Sequence, residues 1–190
     1  MKKLILIIIF MLSSLTAFSQ IQFMGHPVSG SLTEWRQILK DKGFKIKETL
    51  STTNDIAAIG TFAGYDDCIV IIEYSDIAHS VGKVIVGFPE ETKWRYLKNQ
   101  YNKLATMLSE KYGPCEIDRR DFDSPYYDGD GYEMSAIRRN KCTYRTLWKV
   151  TDGDIFLAIT SEANIILMYV NTSVSQVEEQ SKDAKMSNDL

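Results

Sequence analysis

Histidine is scarce in this 190-residue chain: His26 and His79 are the only two. They stand far apart, in a turn and a loop, without the H-x-x-x-H or histidine-plus-carboxylate spacing that builds zinc sites. A nucleophile elbow, a phosphate-cradling glycine loop and a paired catalytic motif are also missing, so no catalytic residue, metal ligand or cofactor is assigned, and an enzyme would need a site assembled from scattered residues. No basic cluster dominates, which argues against a nucleic-acid partner, because phosphates call for a concentrated positive footprint. Long apolar runs are confined to the start, "MKKLILIIIFMLSSLTAFSQ".

That start reads as a secretory signal peptide over residues 1–19. Lys2 and Lys3 precede an apolar core from Leu4 to Leu12, and Ala17-Phe18-Ser19 fits a small-x-small cleavage site. The core is shorter than the roughly 20 residues of a bilayer span, so a retained membrane anchor is disfavoured. No cysteine lies at the cleavage region, which removes the simplest route to lipid anchoring. The expectation is a periplasmic or secreted protein starting at Gln20, with no membrane span after cleavage. Taking Lys2 and Lys3 off the 22 basic side chains leaves 20 against 25 acidic, a formal charge of −5.

The rest divides into elements. A short strand in "IQFMGHPVSG" leads to "SLTEWRQILKDKGF", where Ser31 and Glu34 form a capping box, Leu32, Trp35, Ile38 and Leu39 mark one helical face, and Gly43 is the stop. Strands follow in "FKIKETL", "IAAIGTF", "CIVIIEY" and "VGKVIVGF". A second helix runs from about Glu90 to Tyr112 on a stripe of Trp94, Leu97, Tyr101, Leu104, Leu108 and Tyr112, ended by Gly113-Pro114. Then come "CEIDRRDF", "MSAIRRNKC", "TYRTLWKV", "DIFLAIT" and "NIILMYV" as further strands. The polar segment 172–190 has no periodicity and is expected to be a flexible tail.

This order states a helix-plus-meander unit twice, over about residues 31–88 and 90–170. The fold class is therefore α+β, with residues 20–171 forming a single domain: an antiparallel sheet of about eight strands with two helices on one face. "CIVII" and "NIILMYV" are apolar at consecutive positions, although a sheet with one solvated face should alternate. Something is thus expected to cover the second face. Within one chain this could be sheet curvature, the N-terminal strand or the long loop; the other readings are a homodimer or a partner surface.

"FMGHPVSGS", "GTFAGY" and "KYGP", read as an F-x-G-x-P-V-x-G-S entry, a G-x-F-A-G-Y strand turn and a helix exit, resemble a group of uncharacterised exported proteins of Gram-negative anaerobes, from about Phe23 to Tyr169. Pro114 directly follows Gly113, where that pattern has an intervening residue. The group carries no assigned activity, so the resemblance implies export and a shared fold but no functional residues. The order of elements is also similar to that of small secreted inhibitor proteins that grip an enzyme with a concave sheet, a likeness of architecture alone.

"DFDSPYYDGDGYE", residues 121–133, gathers five acidic side chains and three tyrosines. Placing Asp130-Gly131 at the fifth and sixth positions of an EF-hand puts Tyr126 at the first and Ile137 at the twelfth, so that template fails. A non-standard calcium site from Asp123, Asp128, Asp130 and Glu133 stays open beside a plain solvated loop. Pairing "CEIDRRDFD" with "MSAIRRNKC" so that Asp123 faces Met134 would set Glu116 against Lys141, Asp118 against Arg139 and Cys115 against Cys142, the last pair close enough for a disulfide. The same register costs an Arg119–Arg138 clash, with Asp121 as a local neutraliser. Free thiols throughout are the competing reading, and Cys68 is expected to be a buried small hydrophobe.

The stretch then becomes a hairpin tip displaying Tyr126, Tyr127 and Tyr132 beside Asp128 and Asp130, a candidate partner-binding set because tyrosine offers wide amphipathic contact area. The first reading of the whole chain is an exported, non-enzymatic binding module for a protein or cell-envelope partner. The alternatives are a glycan-binding protein, using these tyrosines with Trp148, and an enzyme with an unrecognised site.

Overall fold

The computed structural model describes residues 21–189, so the expected signal peptide lies outside the described residues. Among them the chain forms ten strands and four helices. A two-stranded ribbon, β1 (Gln22–Phe23) and β2 (His26–Pro27), leads into helix α1 (Leu32–Asp41). The capping box is present: Ser31 Oγ accepts the Glu34 amide at 3.3 Å, and the Ser31 amide donates to Glu34 Oε2 at 2.8 Å. α1 buries Trp35 and Leu39 and is followed by Gly43 at φ 84°, a left-handed position that suits glycine.

Strands β3 (Lys45–Ile46), β4 (Asp55–Phe62), β5 (Tyr65–Ser75) and β6 (Ser80–Gly87) form the first meander. Helix α2 (Trp94–Tyr112) follows and buries Leu97, Gln100, Tyr101, Leu104, Ala105 and Leu108. It starts four residues later than expected because the Phe88 and Glu91 amides donate to Ile165 O and Ala163 O, each at 2.9 Å, which ties residues 88–91 to the 163–165 segment. The second meander is β7 (Ile117–Phe122), β8 (Cys142–Val150), β9 (Gly153–Ile159) and β10 (Ile165–Asn171), with a short helix α3 (Glu133–Arg138) between β7 and β8.

All eight strands from β3 to β10 make one open antiparallel sheet in the order β3-β4-β5-β6-β10-β9-β8-β7. The two meanders thus meet along the β6–β10 pair, and the α+β class with a large antiparallel sheet holds. α1 lies against β3, β4 and β5, and α2 against β8 and β9. Their buried side chains join alternate strand residues, among them Val70, Val86, Leu167 and Leu157, in one core.

Two segments depart from the sequence reading. "MSAIRRNKC" is not a strand: Met134, Ala136 and Ile137 follow helical spacing, and Asn140 at φ 54° stops the helix, its amide donating to Ile137 O at 2.9 Å. The segment expected to be a flexible tail is helix α4 (Thr172–Asp189). Asn171 Oδ1 accepts the Ser173 and Val174 amides at 3.0 and 3.3 Å and starts it, Val174 packs on Gly82, and Gln, Glu, Lys and Ala are good helix formers. Among the described residues no helix is long and apolar enough to cross a membrane.

Candidate functional site

Two surfaces emerge, the 123–133 loop and the sheet face opposite α1 and α2. In the loop, the acids bond donors of the chain itself. Asp128 accepts hydrogen bonds from Trp94 Nε1 at 2.8 Å and from Lys98 Nζ, so the loop is pinned to the first turns of α2. These donors hold the Asp128 carboxyl below its ordinary 3.8, the Lys98 bond being the larger cause. Asp130 accepts the amides of Tyr127 and Tyr132 at 3.0 and 2.7 Å, and Glu133 Oε1 accepts the Gly129 amide at 2.8 Å. Asp123 pairs with Lys141 at 3.6 Å. The four carboxylates weighed for calcium are therefore each engaged by a donor of the chain, and they do not converge on a common point among the described residues.

Tyr127 and Tyr132 are 65% and 67% exposed, whereas Tyr126 is half-buried. Of the expected partner-binding set, two rings are displayed, and Asp128 and Asp130 support the loop that displays them. The sign of the Asp128 contribution follows from its lowered value. The anchor is complete above pH 3.8 and is lost as pH falls through the lower folded value. Protection of the amides of residues 126–132 against hydrogen exchange, taken relative to the intrinsic rate at each pH, should fall on acidification, and Lys98→Ala should give a similar loss of protection at neutral pH; unchanged protection in that variant would mean that the loop does not depend on this anchor.

The expected hairpin register is corrected. Because residues 133–138 are helical, β7 pairs with β8, Phe122 faces Cys142, and Ile117 faces Leu147. Cys115 precedes Ile117, so it sits on the order of 20 Å along the ladder from Cys142, far beyond the reach of a disulfide. Cys68, Cys115 and Cys142 are all free. The Glu116–Lys141 and Asp118–Arg139 pairs do not form; Arg120 bonds Asp118 instead, at 2.8 Å. Arg119 faces Arg145 in place of Arg138, and Asp121 neutralises it at 2.8 Å.

Trp148, the indole considered for sugar stacking, is fully buried and donates from Nε1 to Ser109 Oγ at 3.1 Å. It floors a shallow cleft of about 570 Å³ between α2 and β7. There Thr146 Oγ1 donates to Asp118 Oδ1 at 3.0 Å and accepts from Tyr101 at 2.7 Å, while Arg120 Nη1 donates to Asn102 at 2.7 Å. This network satisfies its own charges. His26 packs edge-on to Trp35, and His79 stands in a turn at φ 51°.

The opposite sheet face carries what residue-by-residue motif reading missed. One register row across it reads Ala57, Ile71, Ile85, Met168, Phe156, Leu147 and Ile117, apolar from β4 to β7. The adjoining row reads Lys45, Ile59, Ile69, Gly87, Ile166, Ala158, Arg145 and Arg119. On the other side is a charged row, Asp55, Glu73, Lys83, Val170, Asp154 and Lys149, with Lys83–Glu73 at 2.6 Å and Lys149–Asp154 at 2.7 Å. α4 meets this face at the charged end, where Ser175 and Glu178 lie beside Glu73 and Lys83. In the apolar band Ile69 is 41% and Ile117 45% exposed, Ile71, Ile85, Phe156 and Met168 are partly exposed, and Ala57 and Leu147 are buried. Its signal in the sequence was the failure of "CIVII" and "NIILMYV" to alternate.

Comparison with family models, curated proteins and solved structures finds no match.

Proposed function

We propose that this chain is an exported, non-enzymatic interaction module that works in the periplasm or outside the cell and docks protein through its open sheet face. The observation that carries the reading is the apolar row from Ala57 to Ile117, which spans seven strands on the face away from α1 and α2. At about 4.8 Å per strand it is about 29 Å long; Ala57 and Leu147 within it are buried, Ile71, Ile85, Phe156 and Met168 are partly exposed and Ile117 is exposed, and apolar surface gathered in this way on one face marks an interaction surface. Tyr127 and Tyr132 supply a second contact on the loop pinned to α2. Export rests on the residue 1–19 leader.

Protein docking is favoured over the two alternatives by specific contacts. Burial of Trp148 denies a sugar its stacking platform, and the α2–β7 cleft holds an Asp118–Arg120 pair already bonded to each other. The test is affinity capture from envelope and culture fractions with residues 20–190, with Ile71→Asp, and with Tyr127→Ala/Tyr132→Ala. A discrete protein retained by the first, lost with Ile71→Asp and weakened with the tyrosine pair is the expected result. Identical recovery by all three would remove the open face from the functional account.

A further inference from the structure

Resting on the reading of this chain as a protein-docking module, we propose that its partner enters along the free edge of β7. An extended segment of another polypeptide adds there as a further antiparallel strand, with a carboxylate beside Arg119 and an aliphatic side chain beside Ile117. The sheet has two edges. β3 is two residues long, too short to template a partner, whereas β7 runs for six residues, Ile117–Phe122, and pairs with β8 without a register shift. Residues 117–121 are all exposed.

The ladder fixes which backbone groups are free. The Asp123 amide donates to Lys141 O at 2.9 Å, in line with the register that sets Asp121 against Thr143 and Arg119 against Arg145, so the odd residues of β7 turn their N–H and C=O groups toward β8. Asp118, Arg120 and Phe122 therefore turn theirs outward, and among the described residues no group of the chain bonds these amides or carbonyls. Donors and acceptors alternating at strand spacing are what an added strand satisfies. Edges are commonly guarded by unmatched charge, but here each charge is matched on its own face of β7: Arg119 bonds Asp121 and Arg120 bonds Asp118, both at 2.8 Å. On the helix side the added strand meets open space, because the cleft of about 570 Å³ between α2 and β7 is walled on α2 by the small side chains of Ala105, Thr106 and Ser109.

The open face sets the chemistry of the partner. Arg119 lies directly opposite Arg145, which forms no ion pair among the described residues, so one carboxylate, Asp121, serves a pair of guanidinium groups. The residue of the added strand beside Arg119 falls in a non-hydrogen-bonded pair, the kind that brings side chains closest, and a carboxylate there supplies the missing charge. Two residues further along the added strand, the position beside Ile117 prolongs the apolar row and covers the bare side of a residue that is 45% exposed. The partner segment therefore reads acid-x-aliphatic on one face.

The probe is the blocked peptide Val-Thr-Thr-Glu-Thr-Ile, whose glutamate falls beside Arg119 and isoleucine beside Ile117 when its valine lies beside Phe122. Titrated to millimolar concentration into isotope-labelled residues 20–190, it should shift the amide resonances of residues 117–122 and protect the Asp118, Arg120 and Phe122 amides from hydrogen exchange. N-methylation of the threonine beside Arg120 removes a donor aimed at β7 and should abolish binding, whereas N-methylation of the glutamate, whose amide points away, should leave it. Arg120→Pro deletes an outward amide that the fold does not use and should lose the peptide, while Arg120→Ala should retain it, with near-ultraviolet circular dichroism verifying that both stay folded. Arg119→Glu should weaken binding about tenfold, and lysine in place of the peptide's glutamate should restore it. A peptide that leaves the β7 amides unmoved, or that binds Arg120→Pro and Arg120→Ala alike, overturns the proposal. If the peptide is silent while Ile71→Asp still loses a captured protein, the open face stands and the edge falls.

Discussion

Replacing Trp148 by alanine is expected to destabilise the fold by about 3–5 kcal/mol, the range for removing a large buried aromatic, which is a substantial part of the roughly 5–15 kcal/mol that holds a typical domain together. The indole lies on β8 under α2, is fully buried, and bonds Ser109 of α2 from Nε1. Its removal therefore leaves a cavity at the helix–sheet contact and an unfilled acceptor. Trp148→Phe retains most of the volume and loses the hydrogen bond, so about 1–3 kcal/mol is expected. Urea titration gives both values, provided the slope of stability against denaturant stays constant. A Trp148→Ala protein of unchanged midpoint would show that the indole is not a core group, and would return it to the list of residues free to meet a sugar.

The capping box of α1 and the stripe of α2 were legible because both are local: Ser31 and Glu34 lie three residues apart, and the Trp94-to-Tyr112 spacing repeats at each turn. The strand order of the sheet was legible as a class for a related reason, since meanders join neighbours through short turns. Residues 133–142 were misread because an apolar pair, Ala136 and Ile137, suits a buried strand and a buried helical turn alike. What decides between them is Asn140 in the left-handed region, a single residue with a weak signal. That one element shifted the register, and with it moved Cys142 away from Cys115 and Arg138 away from Arg119.

The candidate site divides along the same line. The tyrosines of the loop could be named from the sequence, because their crowding among acids is a compositional fact, whereas the half-burial of Tyr126 could not. The roles of Asp128 and Asp130 could not, since Lys98 and Trp94 are some thirty residues distant in the chain. The apolar band was visible only as broken alternation. Its rows draw on all eight strands of the sheet, so they exist only once the ladder is known.

Above pH 9 the protein is expected to lose stability steeply, and the loss should continue to about pH 12. Burial pushes the Cys68 thiol from 9.0 up to about 11 and the Cys142 thiol from 9.0 up to about 12. Burial likewise pushes Tyr144 from 10.0 up to about 12, and raises Tyr101 and Tyr169 further. In each case the neutral form is the one the fold favours. The unfolded chain starts to release these protons between pH 9 and 10 while the folded chain still holds them, so unfolding releases protons and is driven by rising pH. The stabilising contribution is complete below pH 9, falls through the window between the unfolded and folded values, and is exhausted above the latter. Thermal melts from pH 7 to pH 11 should show it, with the decline between pH 9 and 10 flattened by Cys68→Ala/Cys142→Ala and the tyrosine part remaining above pH 10. The same burial makes both thiols poor nucleophiles, because the thiolate is the reactive form. In the native protein an alkylating reagent should modify half-exposed Cys115 first, and all three thiols should react on unfolding without prior reduction. A melting temperature that holds level to pH 11, or a chain that needs a reductant before Cys115 and Cys142 react, would place these side chains in surroundings other than the ones described.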